Sequence, residues 1–213
     1  MIISTPQCPL CWETSSYFQS VHNRTYFQCS RCYAVFLDPA SRANKEDEKA
    51  RYLHHQNDVY DLGYQQFTSL ISDAVLRDYS PKDKGLDFGA GTGPVIAKLL
   101  TDQHFNIRLY DPFFHNHPPL LEEKYDYIVC CEVMEHFYHP AKELALLKRL
   151  LKHNARLYCM TEIYNEEIDF KSWHYKSDPT HVFFYHQQSL NYIKEQFGFS
   201  KMTVEGRLII FTA

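Results

Sequence analysis

Positive charge is in short supply in this chain. With 22 Lys and Arg against 26 Asp and Glu, the formal net charge is −4, which leaves no basic field to gather long nucleic acid. No apolar stretch approaches the roughly 20 residues that a bilayer-spanning helix needs. The opening MIISTPQCPLC has no basic segment followed by an apolar run, so it does not read as a secretory signal. Low-complexity tracts and repeats are missing too, and the 45% hydrophobic, 23% charged composition is that of a globular chain. The 7 cysteines do not make an even disulfide set, and Cys130 and Cys131 adjoin in what reads as a buried strand. That usage fits reduced thiols and metal binding in the cytoplasm, with no membrane association.

A chain of 213 residues is long enough for one main domain and a small module. Three segments separate by pattern: 1–40, with four paired cysteines among aromatics; 41–80, a helical linker or cap; and 81–213. In the linker, ANKEDEKARYLHHQ is charged and proline-free, and YQQFTSLISDAVLRDY has apolar residues at helical spacing, until Pro81 breaks the pattern. Beyond it, strands (GLDFG, FNIRLYD, YDYIVCC, ARLYCMT) alternate with helices (PVIAKLLTDQ, PAKELALLKRLLK). This order implies crossover units and a mainly parallel α/β sheet. SLNYIKEQFGF reads as a helix closed by Gly198, and KMTVEGRLIIFTA as a hairpin turning near Gly206 that adds an antiparallel edge.

Cys8, Cys11, Cys29 and Cys32 form C-x2-C-x17-C-x2-C. Two such knuckles bring four soft thiolates to one tetrahedral ion, at a spacing usual for zinc ribbons; the plainer alternative is four buried structural cysteines. A closed four-thiolate site has no open position, so its role is to stabilise. Up to Ala40 the only charged residues are Glu13, Arg24, Arg31 and Asp38. They cancel, so the zinc-loaded module carries about −2 and makes a poor phosphate clamp. The expectation is a stapled module that packs against the larger domain or grips a substrate.

LDFGAGTGP sets Gly89, Gly91 and Gly93 between a strand and a helix. Glycines there permit a tight turn, and the helix start offers unsatisfied N–H groups to a polar ligand. A dinucleotide fingerprint needs a small residue where Pro94 stands, which argues against NAD. Asp111 closes the second strand, where a carboxylate can accept both hydroxyls of a ribose. Together with Asp87, the pattern DFGAGTG…LYD resembles the class I S-adenosylmethionine-dependent methyltransferases over about 84–213. The resemblance implies a Rossmann-like fold that binds the cofactor through Asp87 and this loop, with Gly89, Gly91 and Gly93 beside its methionine part and Asp111 on its ribose. The stretch 112–124 is too short for the helix, strand and helix of the standard fold. One strand and its crossover are therefore expected to be reduced to a loop, leaving Phe113 and Phe114 as candidates for adenine contact.

CEVMEHFYHP places Glu132, Glu135 and His136 after the third of these strands. On a helix these would share one face, at the carboxyl edge of the sheet where ligands bind. EVMEH resembles the motif of quinone-biosynthesis O-methyltransferases and small-RNA 3′-terminal 2′-O-methyltransferases. That resemblance implies two glutamates and a histidine holding a divalent ion that orients a hydroxyl and lowers its pKa. WHYKSDPTHVFFY, read as an insertion closing over the substrate, supplies His181 as the distant ligand, with His174 and Tyr175 in reserve and His139 read as a turn residue. Glu132, Glu135, His136 and His181 would give a mixed oxygen and nitrogen site for Mg²⁺, Mn²⁺ or Zn²⁺. Two other readings remain: a metal-free site in which Glu135, His136 or His181 is a general base, and an acidic helix start with a packing histidine.

The whole layout is similar to bacterial class I methyltransferases with an N-terminal zinc-binding segment. The leading expectation is methyl transfer from S-adenosylmethionine to a small-molecule or terminal hydroxyl. The alternatives are an RNA-base methyltransferase, and a non-catalytic zinc-stapled interaction module on the same scaffold. Calorimetry with the cofactor separates the last from the others.

Overall fold

A computed structural model describes residues 5–54 and 58–213. The main sheet is built from β4 (Lys84–Phe88), β5 (Asn106–Tyr110), β6 (Tyr125–Cys131), β7 (Leu151–Met160), β9 (Lys201–Glu205) and β10 (Leu208–Thr212). Its order is β5-β4-β6-β7-β10-β9. The first four strands run parallel, and β10 lies antiparallel to both β7 and β9. The turn after Glu205 puts Gly206 at φ 61°, a left-handed conformation that costs glycine little.

Alternation along the central strands assigns the two faces. Tyr127, Val129, Tyr158 and Met160 pack on Ile71, Ala74 and Val75 of α2 (Leu62–Asp78) and on Ile96 and Leu100 of α3 (Val95–Asp102). On the opposite face, Ile128, Cys130, Leu157 and Cys159 meet Leu144, Leu147 and Leu150 of α4 (Pro140–Leu150) and Leu190 and Ile193 of α5 (Gln187–Gln196). Asp61 caps α2 by accepting the Tyr64 amide at 2.9 Å, and Gly198 follows α5 at φ 68°. Between Asp111 and Tyr125, all described residues, the chain makes an Asp111–His115 bridge and a short 3-10 turn at Pro118–Glu122, with no strand. This is the expected reduction, and it leaves β5 as the sheet's edge.

The second sheet departs from expectation. β1 (Ser15–Val21), β2 (Arg24–Cys29) and β3 (Val35–Leu37) form an antiparallel ribbon, and a fourth strand, β8 (Phe183–Phe184), joins it from the distant DPTHVFF segment. The stretch read as an inserted substrate loop is thus partly a ribbon strand. Val35 pairs with Phe184 and Phe36 with Phe183, all fully buried. Residues 1–40 and the larger domain consequently share one hydrophobic cluster that runs from Leu10 and Phe36 through Phe184 to Leu147 and Phe211. Among the described residues no helix is long and apolar enough to cross a membrane.

Candidate active site

The cofactor loop leaves β4 at Phe88. Gly89 adopts φ 82° and donates its amide to the Tyr110 carbonyl at 2.8 Å, which ties the loop to β5. Asp111 sits beyond the end of β5, nearly buried. Its Oδ2 accepts from the Gly91 amide at 3.1 Å, and its Oδ1 from the amides of Phe113 and Phe114 at 2.8 and 3.0 Å. These bonds orient the carboxylate, and Oδ2, which accepts only one amide, keeps capacity for a further donor. Asp87, Gly89, Gly91, Gly93 and Asp111 all line one cavity of about 1340 Å³. That exceeds the usual size of a pocket for a single drug-sized ligand, so two molecules can share it. Burial, with the neighbouring Asp111 carboxylate adding to it, pushes the Asp87 carboxyl up to about 7, against the Ala97 amide.

Beside the glycine loop, Glu132, Val133 and His136 of the EVMEH segment line the same cavity, and this segment is not an α-helix. Glu132 follows the end of β6 at φ 51°, and Met134–His136 form a 3-10 turn. The helical spacing argument therefore fails for Glu132. Its carboxylate turns to Arg207, which donates to both oxygens at 2.8 Å. Glu135, His136 and His181 do converge: one ligand atom from each lies within 4.8 Å of the others. Glu132 is outside that group, though the Tyr175 hydroxyl touches both it (3.2 Å) and Glu135 (2.5 Å). Arg207 removes Glu132 from the proposed ligand set by offering it a charge-assisted pairing in which Nη2 bridges both oxygens.

Backbone carbonyls fix both imidazoles. His136 Nδ1 donates to the Thr180 carbonyl at 3.0 Å and His181 Nδ1 to the Tyr175 carbonyl at 2.6 Å. Since a carbonyl only accepts, each ring carries a proton on Nδ1. His181 Nε2 lies 3.9 Å from Glu135 Oε1. Glu135 is fully buried, and its Oε2 has no hydrogen-bond partner. Burial is the main force raising the carboxyl pKa of both glutamates, and Arg207 opposes it. The Arg207 guanidinium favours charge on Glu132, and the Tyr175 hydroxyl, 2.5 Å from Glu135 Oε1, favours it on Glu135. A buried carboxylate oxygen with no hydrogen-bond partner, grouped with two imidazoles, suits a divalent cation of intermediate hardness.

Of the reserve residues, Tyr175 stands at the centre of this network, with Thr161 Oγ1 at 2.9 Å from its hydroxyl. His174 is 79% exposed in its side chain and pairs with Glu162 at 3.3 Å. His139 precedes α4 and lines the cavity. Several functional residues had no signal in the sequence. Arg207 is one residue in a hairpin turn. Tyr52 of α1 (Lys45–Leu53) and Tyr64 and Phe67 of α2 come from the linker, yet they line the same cavity. Tyr52 meets His136 edge to face, with ring centroids 5.3 Å apart.

Away from this cavity, the four cysteine sulfurs lie within 4.8 Å of one another, with Cys8–Cys32 at 3.6 Å and Cys11–Cys29 at 3.3 Å. A zinc ion with bonds of about 2.3 Å requires sulfurs about 3.8 Å apart. Cys29 Sγ also accepts the amides of Arg31 and Cys32 at 3.4 Å each, an arrangement that supports a thiolate.

Comparison with known proteins agrees with this geometry. A family model described as "Methyltransferase domain" matches residues 52–204. Among solved structures, an O-methyltransferase family protein from Burkholderia thailandensis aligns at TM-score 0.52 and 12% identity, covering 78% of this chain and 61% of that one. Human N-acetylserotonin methyltransferase with S-adenosylmethionine aligns at 0.49 and 10% identity, over 70% of this chain and 53% of that one. Magnesium protoporphyrin IX methyltransferase from Synechocystis aligns at 0.45 and 14%, over 80% and 88%. This chain thus spans about three fifths of the length of the first of these structures, and at such identities the likeness is one of fold. No curated protein sequence matches.

Proposed function

This chain belongs to the methyltransferase-domain family as a class I, S-adenosylmethionine-dependent member, and from that premise we propose that it methylates a hydroxyl of a small or terminal acceptor. The observation that supports this most is the convergence of Glu135, His136 and His181, the two histidines of which line the same cavity as the glycine loop. S-adenosylmethionine bound along that loop supplies an electrophilic methyl carbon on a sulfonium. Asp111 receives the ribose hydroxyls, and Asp87 faces the cationic methionine end. Tyr52, Tyr64, Phe67 and Tyr175 give the acceptor side aromatic walls, which suits a planar acceptor.

The acceptor hydroxyl must lose a proton as its oxygen attacks the methyl carbon. His181 Nε2 or Glu135, in its ionised form, takes that proton at hydrogen-bond distance. A divalent ion held by Glu135, His136 and His181 would lower the hydroxyl pKa. The Cys8, Cys11, Cys29 and Cys32 cluster takes a separate, structural zinc.

Glu135→Gln and His181→Ala are each expected to lower methyl transfer at least 100-fold, within the usual range for losing a general base. S-adenosylhomocysteine affinity should stay within about twofold. The measurement is transfer from labelled S-adenosylmethionine to a panel of phenols and vicinal diols. Variants that keep full transfer would refute the assignment.

Cofactor binding should also depend on pH. An Asp87 carboxyl at about 7 is half protonated there and becomes an anion above it, where it attracts the cofactor's cationic end. Affinity for S-adenosylmethionine is expected to rise between pH 6 and 8. The free protein moves the other way. Its folded Asp87 binds a proton more tightly than the unfolded chain, so this group's contribution to stability declines as pH climbs from about 4 to 7. Asp87→Asn should flatten the cofactor profile, as read by calorimetry at each pH.

A further inference from the structure

The ribbon offers no chemistry of its own: its four-cysteine cluster is closed, its charge is nearly balanced, and it lies outside the cavity. One of its side chains nevertheless reaches the acceptor centre's supporting loop. Arg24, the first residue of β2, extends its guanidinium across to 176–181 and donates to four carbonyls there. Nη1 reaches those of Lys176 (3.3 Å) and Asp178 (3.4 Å), and Nη2 those of Pro179 (3.0 Å) and His181 (3.3 Å). We propose that Arg24 is a positioning residue, which curls this segment around its guanidinium and so holds the His181 imidazole toward Glu135 and His136.

Three further contacts make the segment depend on the ribbon. The Leu37 amide of β3 donates to the Val182 carbonyl at 2.9 Å, and the Val182 amide donates to the Glu135 carbonyl at 2.9 Å. A backbone chain thus runs from the ribbon through the residue after His181 into the EVMEH turn. The Ser189 hydroxyl at the start of α5 donates to the carbonyl of Cys32 at 2.8 Å, tying that helix to a knuckle. From the cavity side, Arg51 of α1 grips Asp178 Oδ2 at 2.8 Å, while Asp178 Oδ1 accepts the Thr180 amide at 2.9 Å. Two arginines on opposite sides therefore hold one turn. The supports of the glycine loop are different: Gly89 and Gly91 bond to Tyr110 and Asp111. The ribbon accordingly shapes the acceptor half of the site and leaves the cofactor half alone.

A guanidinium fork can serve four carbonyls in an arc, whereas a lysine ammonium is a point charge with three donors. Arg24→Lys should therefore fail almost as fully as Arg24→Ala. His181 reports the outcome through its tautomer. In the intact protein the Tyr175 carbonyl holds the proton on Nδ1; a histidine released to solvent prefers it on Nε2. The inference rests on the acceptor-centre reading above, but the experiment separates them. Long-range ¹H–¹⁵N spectra of the zinc-loaded full chain, labelled in histidine, assign the tautomer at neutral pH. The wild type should show the Nδ1–H form. Both variants should show mainly the Nε2–H form, with S-adenosylhomocysteine affinity changed less than about twofold. Nδ1–H persisting in Arg24→Lys and Arg24→Ala, or missing in the wild type, would overturn the positioning role. Should Arg24→Ala not fold, as shown by lost zinc and lost cofactor affinity, Arg24→Lys decides alone. Failure of the acceptor-centre reading would appear elsewhere, as full methyl transfer by Glu135→Gln and His181→Ala.

Discussion

Gly89→Ala should reduce S-adenosylhomocysteine affinity at least 100-fold while leaving the zinc content unchanged. At φ 82° the backbone is in the left-handed region, and an added Cβ would stand 2.4 Å from Val133 Cγ2 and 2.7 Å from Cγ1. Such contacts do not persist, and Val133 has little freedom to withdraw. It follows Glu132, itself at φ 51° and pinned by Arg207, and precedes the fully buried Met134. The loop must move instead, which breaks the Gly89 and Ala90 bonds to the Tyr110 carbonyl. Left-handed strain on a residue with a side chain adds about 1–3 kcal/mol, and each lost buried backbone bond about 1 kcal/mol more. Together these exceed the roughly 2.8 kcal/mol that corresponds to a hundredfold in affinity. Gly91→Ala is the informative partner. Its Cβ would meet nothing within 4 Å, since it faces open space. The folded state should tolerate it at the left-handed cost alone, so its thermal midpoint falls less than that of Gly89→Ala. Equal cofactor affinity in Gly89→Ala and wild type would contradict the placement of the cofactor on this loop.

Removal of zinc is the second large effect. Structural four-cysteine sites in small modules draw on the order of 10 kcal/mol from the metal. Here the sulfurs are buried, and an uncompensated cluster of four thiols 3.3 to 3.6 Å apart in pairs has no comparable attraction. A strong chelator, or Cys29→Ser, is expected to raise amide exchange across 15–37 by orders of magnitude. Exchange should also rise across 182–185, because among the described residues β8 pairs only with β3. The 86–88 and 127–130 strands, paired within the main sheet, should keep their protection. Purified protein with no zinc, or a chelated chain whose 15–37 segment exchanges as before, would contradict a metal-stapled ribbon.

Much of this architecture could be read from local pattern. The Tyr127–Cys130 and Leu157–Met160 strands are continuous apolar runs because they are buried on both faces, and such runs are visible in a linear sequence. The glycine loop, Asp111 and the paired cysteines carry their chemistry within a few residues. The short 112–124 stretch correctly signalled a reduced crossover. What stayed hidden depends on long-range pairing. β8 has two residues, far too few for a periodic signal, and exists because Val35 and Phe36 offer a partner edge. Glu132, Glu135 and His136 have helical spacing, yet the left-handed turn at Glu132 sends its carboxylate to Arg207. Arg207 and Tyr52 reach the cavity from a hairpin turn and a polar surface helix, positions that no spacing rule connects to the site. Sequence reading was strongest where one segment holds the chemistry, and weakest where tertiary contact decides which side chains meet.

The central claim is that one cavity joins a cofactor loop to an acceptor centre. Calorimetry with S-adenosylhomocysteine on the zinc-loaded full chain tests its first requirement most directly. The account predicts saturable one-to-one binding that is lost in Gly89→Ala and retained in Glu135→Gln. Absence of binding by the wild type would contradict it, and would leave a zinc-stapled scaffold that has kept the fold without its cofactor.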